Sequence, residues 1–156
     1  MKTLVVALAV GGIVLGTITG QAAAAQPAPD TFIVVLNADN EVPHCGPSTD
    51  AARGVAIFHV TNEAAGTVAW QIVADNLPGT IIAAHIHHAD AGVAGPVVQP
   101  LPPTPGDESG VIGTGTFANP ALLAAIRATP AAYYVNVHST VCPTGVIRGQ
   151  FGDHGP

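Results

Sequence analysis

The sequence predicts an all-β domain: an antiparallel, Greek-key-like β-sandwich or barrel with one short helix near residues 120–127. Three observations carry this. Beyond the N-terminal segment, the apolar residues come in short bursts rich in Val, Ile, Thr and aromatics, the residues that suit a pleated, half-buried surface. The bursts are divided by Gly, Pro, Asn and Asp, and the chain's 18 Gly and 14 Pro, set between β-prone bursts as turns, indicate a β-sandwich or barrel rather than disorder. Within the bursts polarity alternates: Phe58 and Val60 share one parity, and Trp70 and Ile72 another, which assigns those faces to a core.

Taken in order, Lys2 precedes an uncharged apolar run, Leu4 to Ile18, and then the small residues Ala22 to Ala25. This predicts a secretory signal peptide over residues 1–25. The run is short for a membrane span, which needs roughly 20 residues, and no cysteine follows the expected cut to carry a lipid. A retained anchor helix is the alternative. The expectation is an exported protein, secreted or held in the cell envelope or periplasm, with no membrane contact after cleavage. About 130 residues remain, the size of one domain.

Residues 26–31 form a proline-containing leader. Strands are expected over 32–36, 54–61, 67–74, 80–88, 97–101, 111–117, 133–138 and 146–151. The segment Glu41 to Pro47 carries two prolines and a glycine, which exclude regular structure. Asp75 to Gly79 and the glycine-rich Asp90 to Gly95 are turns. The glycines inside 111–117 suggest bulges or close backbone approach. Asn119-Pro120 followed by Ala121 to Arg127 has the cap and first-turn proline of a helix, which ends before Pro130. Residues 152–156 are a loose tail.

The 156-residue chain has ten acidic residues against four basic ones. After Lys2 the basic residues are Arg53, Arg127 and Arg148, with no basic stripe, so nucleic acid and anionic membrane are excluded as partners. Cys45 and Cys142 are most simply one disulfide in an exported chain, closing a long loop worth on the order of 4 kcal/mol. A thiolate metal ligand is the alternative, because His44 adjoins Cys45 and His138 lies near Cys142.

His85 and His87 are two apart on a predicted strand, so both imidazoles point to one side. If Ile82, Ala84 and Ile86 face the core, the histidines lie on the outer face. On 133–138, Tyr133, Val135 and Val137 make the better core face, leaving Tyr134, Asn136 and His138 outside. The same parity sets His59 opposite Phe58 and Val60, and Arg148 with Gln150 opposite Ile147 and Phe151. Three imidazoles converging on one point would hold Zn²⁺ or Cu²⁺. Whether the strands are neighbours is not visible from local pattern.

At these residues the chain resembles the CHRD domain, first described in chordin and widespread in bacterial exported proteins. The resemblance runs through Asn40-Glu41-Val42-Pro43, Ala84-His85-Ile86-His87, Gly95-Pro96-Val97-Val98, Leu122-Leu123, Tyr134-Val135-Asn136-Val137-His138 and Gly145-Val146-Ile147-Arg148-Gly149-Gln150. It covers residues 32–151. It implies a sandwich or barrel of roughly immunoglobulin-like or Cu,Zn superoxide dismutase-like shape, and implies little about activity. Two departures both involve cysteine: His44-Cys45 follows Glu-Val-Pro, and Cys142-Pro143-Thr144-Gly145 replaces an Asn-Pro-Gly-Gly-like turn. Together they fit a disulfide tying the early loop to the last hairpin, which makes His44 a candidate fourth ligand.

The leading expectation is therefore an exported domain binding copper or zinc through His85, His87 and His138, with His44 or, more weakly, His88 for a further position. Asn136, Arg148 and Asp90 are supporting residues, and Asp90 is a candidate to orient an imidazole. The alternative is an extracellular interaction module without metal, in which Arg148 pairs with a carboxylate or carbonyl and Gly149 permits close approach. A superoxide dismutase-like enzyme ranks below both, since no zinc loop rich in His and Asp is present. Ser139 and Thr140 beside His138 make no triad, and Asp107-Glu108 is a carboxylate pair only by adjacency.

Overall fold

Each apolar burst becomes a strand. The computed structural model describes residues 30–104 and 109–153. The expected signal peptide, leader residues 26–29, the Asp107-Glu108 pair and the last three tail residues lie outside them. The order is β1 (Thr31–Asn37), β2 (Arg53–Asn62), β3 (Thr67–Asp75), β4 (Ile81–His88), β5 (Val97–Pro100), β6 (Gly110–Ala118), α1 (Pro120–Ala128), β7 (Tyr133–Ser139) and β8 (Ile147–Gln150). The strands form one eight-stranded sheet in the order β5-β4-β7-β8-β1-β2-β3-β6, antiparallel at every pairing. The all-β architecture with one short helix is thus present, as a single sheet curled into a half-barrel.

The two ends of the sheet are tied by the segment after β5. The Leu101 N–H donates to Ala84 O at 2.8 Å, and the Thr104 N–H donates to Ile112 O at 2.8 Å. One short stretch therefore bonds to both β4 and β6. Inside the curl lie Val34, Leu36, Phe58, Trp70, Ile72, Ile86, Val135, Ile147 and Phe151. The glycines of β6 make room for the indole: a Cβ on Gly115 would sit 2.9 Å from the Trp70 ring, and one on Gly113 at 3.1 Å. A register shift between Ile72 and Val73 adds the bulge.

α1 closes one end of the core. The Asn119 side chain accepts the Leu122 N–H at 3.0 Å, and Pro120 occupies the first turn, where its missing N–H costs nothing. Leu122, Leu123 and Ile126 are buried. The ring of Phe151 packs on Phe58 at 5.1 Å and on Phe32 at 6.0 Å.

One parity expectation is corrected. Ile82 is 51% exposed, and Ile81 is buried in its place. The pairing of β4 with β7 slips between Ile81 and Ala83, and such a bulge reverses every side chain on one side of it. Ala84 and Ile86 remain inside. Cys45 and Cys142 form a disulfide across 97 residues of sequence.

Candidate metal centre

β4, β7 and β8 lie side by side, and their register builds the site. His87 is opposite Tyr134, which is opposite Gln150; His85 is opposite Asn136, which is opposite Arg148; His138 is opposite Ala83. All the polar residues of these rows point away from the core, as expected. Most of them are not solvated, however: His87, His138, Asn136, Arg148 and Gln150 are buried, because loops fold over the outer face, while His85 is half-buried. Tyr133 to Ser139 is buried throughout, so the expected exposed face of β7 does not exist.

The three histidines converge. One ring nitrogen from each of His85, His87 and His138 lies within 4.8 Å of the others. Two of the rings have their tautomer set by main-chain carbonyls, which can only accept. His87 Nδ1 donates to Gly95 O at 2.9 Å, and His138 Nδ1 donates to Pro143 O at 3.1 Å. Both Nε2 atoms are then left with a lone pair. His138 Nε2 meets His85 Nδ1 at 3.1 Å. His87 Nε2 is buried and has no hydrogen-bond partner among the described residues.

That arrangement fits a metal ion. Ligands about 2.0–2.1 Å from a tetrahedral ion stand about 3.3 Å apart, close to the 3.1 Å between the His85 and His138 nitrogens. Burial holds all three imidazoles below the usual histidine range, helped at His85 and His138 by repulsion from the neighbouring histidines and at His87 by Arg148. His138 is pushed down to about 4. The rings are therefore neutral at pH 7, the form that coordinates.

A second layer holds the rings in place. The Tyr134 ring stacks on His87, with centroids 4.7 Å apart and 10° between planes, and Arg148 lies over the Tyr134 ring at 3.5 Å. The Arg148 guanidinium donates to Val93 O and Asp90 O, each at 2.9 Å, and to Gln150 Oε1 at 3.3 Å. Gln150 Nε2 donates to Ala89 O at 2.6 Å and to Ala131 O at 2.8 Å. Tyr134 OH accepts the Gly95 N–H at 3.0 Å. The whole 89–95 loop is thus pinned to the sheet, and with it the Gly95 carbonyl that orients His87. Gly149 is where β1 comes close, since a Cβ there would collide with Val35 O.

Glu41 was not singled out by its chemistry in the sequence. It is buried, accepts from Asn136 Nδ2 at 3.3 Å through Oε2, and leaves Oε1 unpartnered among the described residues. Burial pushes its carboxyl up to about 8, against the opposing pull of Arg148, Asn136 and the Val42 N–H. Gly145 must be glycine here: its φ is +144°, and a Cβ would collide with Glu41 and Asn136.

The raised Glu41 gives a prediction for the metal-free protein. From the ordinary 4.5 to about 8 the folded state holds a proton that the unfolded state lacks, so stability falls as pH rises. The histidines act in the opposite sense and only below about 6.5, because there the unfolded state binds the extra protons. Between pH 6.5 and pH 8 the protein should lose about 2 kcal/mol through Glu41, at about 1.4 kcal/mol per unit. Glu41→Gln should abolish that loss in urea unfolding at the two pH values. An equal pH dependence in the variant would contradict the assignment.

The remaining candidates lie elsewhere. His44 is outside the cluster despite the disulfide beside it: Nε2 pairs with Asp50 at 3.4 Å, and Nδ1 accepts the Gly46 N–H at 3.3 Å. The disulfide fixes Cys45, while the turn after Gly46 brings Asp50 back to the imidazole. Asp90 contributes its main-chain carbonyl to Arg148, so it is the backbone of this residue that supports the site. His88 has the opposite parity and lies against Tyr133. Tyr134, Gly95 and Pro143 were missed as supports; only the Tyr134-to-His138 alternation pointed toward one of them.

Among the described residues, no helix is long and apolar enough to cross a membrane. A family model described as CHRD domain matches residues 32–151. Comparison with curated proteins and with solved structures gave no match.

Proposed function

The chain belongs to the CHRD domain family, and on that premise we propose that it is an exported protein that binds copper or zinc through His85, His87 and His138, serving metal buffering, delivery or redox defence. The observation that carries this is His87 Nε2, a buried lone pair with no partner among the described residues, within 4.8 Å of two more ring nitrogens. Buried polar atoms are satisfied in nearly all native structures, and an ion is the group that would satisfy this one. Export is supported by the Cys45–Cys142 disulfide, which persists in oxidising compartments, and by the pattern of residues 1–25.

A bound copper or zinc ion would supply Lewis acidity, and copper would add one-electron redox chemistry. The chain's own contribution is to keep three imidazoles neutral and to fix two tautomers with Gly95 O and Pro143 O. It also shields the cluster beneath the 89–95 loop. Three protein nitrogens are the ligand count of a site that retains a position for a further ligand.

Calorimetric titration of the purified protein with Cu²⁺ and with Zn²⁺ tests the proposal. The combined His85→Ala, His87→Ala and His138→Ala variant should bind more than about 100-fold more weakly, beyond the effect of losing a mere supporting residue. Circular dichroism confirms that the variant is folded. Binding by the wild type no tighter than by the variant would end the proposal.

A further inference from the structure

β5 covers only part of β4. It pairs with His85, Ile86 and His87, and the Leu101 N–H then donates to Ala84 O at 2.8 Å. Pro100, Pro102 and Pro103 lie in this stretch, and a proline has no N–H with which to extend a ladder. The chain accordingly leaves β4 for β6, where the Thr104 N–H meets Ile112 O. Among the described residues, the first half of β4 is left with no strand on that side. What remains is a hollow of about 540 Å³, lined chiefly by Ile82, Ala83, His85, Pro100, Pro102 and Pro103. Small-molecule sites span about 300 to 1,000 Å³, so the hollow is large enough for an organic ligand.

The hollow meets the histidine cluster at one residue. Of the three histidines only His85 lines it, and His85 is the one that is half-buried where the others are buried. The other sides are closed. The 89–95 loop lies against His87 through Gly95 O, and the turn at Pro143 lies against His138. Pro100 stands opposite His85, and Ala83 opposite His138. Directly opposed residues share a face, so these two walls of the hollow lie on the same side of the sheet as the imidazoles. A molecule bound for the position that three protein nitrogens leave open therefore passes His85 and crosses this hollow.

We propose that the hollow binds an uncharged aromatic molecule, which presents a neutral nitrogen donor of the azole or pyridine kind to the ion held by the histidines. This assignment rests on the copper or zinc site proposed above and adds the class of ligand that site receives. The lining selects the class. Among the described residues it includes no Asp, Glu, Lys or Arg, so a charged ligand body would lose water there against no counter-charge. The chain's formal charge of -6 disfavours an anion further. Pro100, Pro102, Pro103 and Ile82 present aliphatic surface, and proline surfaces pair with aromatic rings in peptide recognition. An azole nitrogen is a donor of the same kind as the three imidazoles and suits both copper and zinc.

Titration of the Cu²⁺-loaded protein with imidazole and with 4-phenylimidazole is the test. Both should shift the visible ligand-field band and the electron paramagnetic resonance spectrum of the bound ion. With each affinity referred to that for free Cu²⁺, 4-phenylimidazole should bind about 30-fold more tightly, the effect of burying about 80 Å² of phenyl surface. Ile82→Asn and Pro102→Asn should each cut that preference below about 10-fold, because an amide then faces the ring. Imidazole binding and Cu²⁺ affinity should stay within about 3-fold of wild type in both. Pro102 lies outside the strands, so its variant serves if the β4 variant fails to fold. Ile33→Asn, on β1 and as exposed as Ile82, should keep the full preference. Equal affinities for the two probes, or a preference that survives both hollow substitutions, overturn the inference and leave the metal site standing. So does a preference that Ile33→Asn removes as readily. A protein that takes up no Cu²⁺ overturns both.

Discussion

Arg148→Met is expected to destabilise the protein by about 5 kcal/mol and to weaken metal binding about 10- to 100-fold. Arg148 is buried and donates to Asp90 O, Val93 O and Gln150 Oε1. Hydrogen bonds to a charged donor are worth about 1.5–3 kcal/mol each, and removing the donor leaves buried acceptors unpaired. The guanidinium also stacks on Tyr134, adding up to about 2 kcal/mol where water is excluded. Methionine restores the bulk but none of the donors. The affinity falls because the 89–95 loop carries the Gly95 carbonyl that fixes His87. Arg148→Lys should recover little of either quantity, since a single ammonium cannot serve two carbonyls and an amide while stacking in plane. Urea unfolding of the metal-free protein and Cu²⁺ titration measure the two effects. A cost under about 1 kcal/mol, or an unchanged affinity, would contradict the role given to this residue.

Strand parity read well wherever pairing is regular. His85, His87 and His138 could be placed on one side of the sheet because Ala84, Ile86, Val135 and Val137 read as core, and those four are buried. It failed at Ile82, where the slip between Ile81 and Ala83 leaves no mark in the residue types. Adjacency was less legible still. β4 follows β3 in the chain but lies five places from it in the sheet, and β7 reaches β4 only after β5, β6 and α1. No local pattern encodes such crossovers, so the meeting of His85 with His138 rested on resemblance to a family. Burial of the outer face was invisible for a related reason. It depends on Arg148 and Gln150 gripping carbonyls of residues 89, 90, 93 and 131, and a carbonyl acceptor carries no sequence signature.

These features also explain why the last strand is polar where a core strand would be apolar. β8 is four residues long and entirely buried, yet two of its residues are Arg148 and Gln150. Their parity sends them through the outward face to hold loops, while Ile147 fills the core and Gly149 lets β1 approach. The arrangement buries most of an open sheet surface without a second sheet, leaving His85 half-buried at its edge. That burial keeps the imidazoles neutral, because desolvation is the first cause of their lowered proton affinity.

The disulfide should separate stability from metal binding, where Arg148 couples them. Joint Cys45→Ala and Cys142→Ala substitution is expected to cost between about 4 and about 5 kcal/mol, the chain-entropy value for a loop of this order, here 97 residues of separation. Affinity for the ion should change less than about 10-fold, below the usual effect of losing a supporting group. The reason is the local bracing of Pro143, whose carbonyl orients His138. Cys142 O accepts from the N–H groups of Ser139 at 3.2 Å and Gly145 at 3.1 Å, and the Val146 N–H donates to Val137 O at 2.7 Å. Ser139 Oγ accepts the Cys142 N–H at 3.1 Å. These bonds hold the turn whether or not Cys45 is attached, and His44, bound toward Asp50, contributes no ligand that could be lost. Unfolding and titration on one preparation decide it. A double variant of near wild-type stability would show that the 38–46 loop is fixed by Glu41 and Asn40 instead. A variant that unfolds early and also loses the ion more than about 10-fold would show that the turn depends on the disulfide for the position of His138.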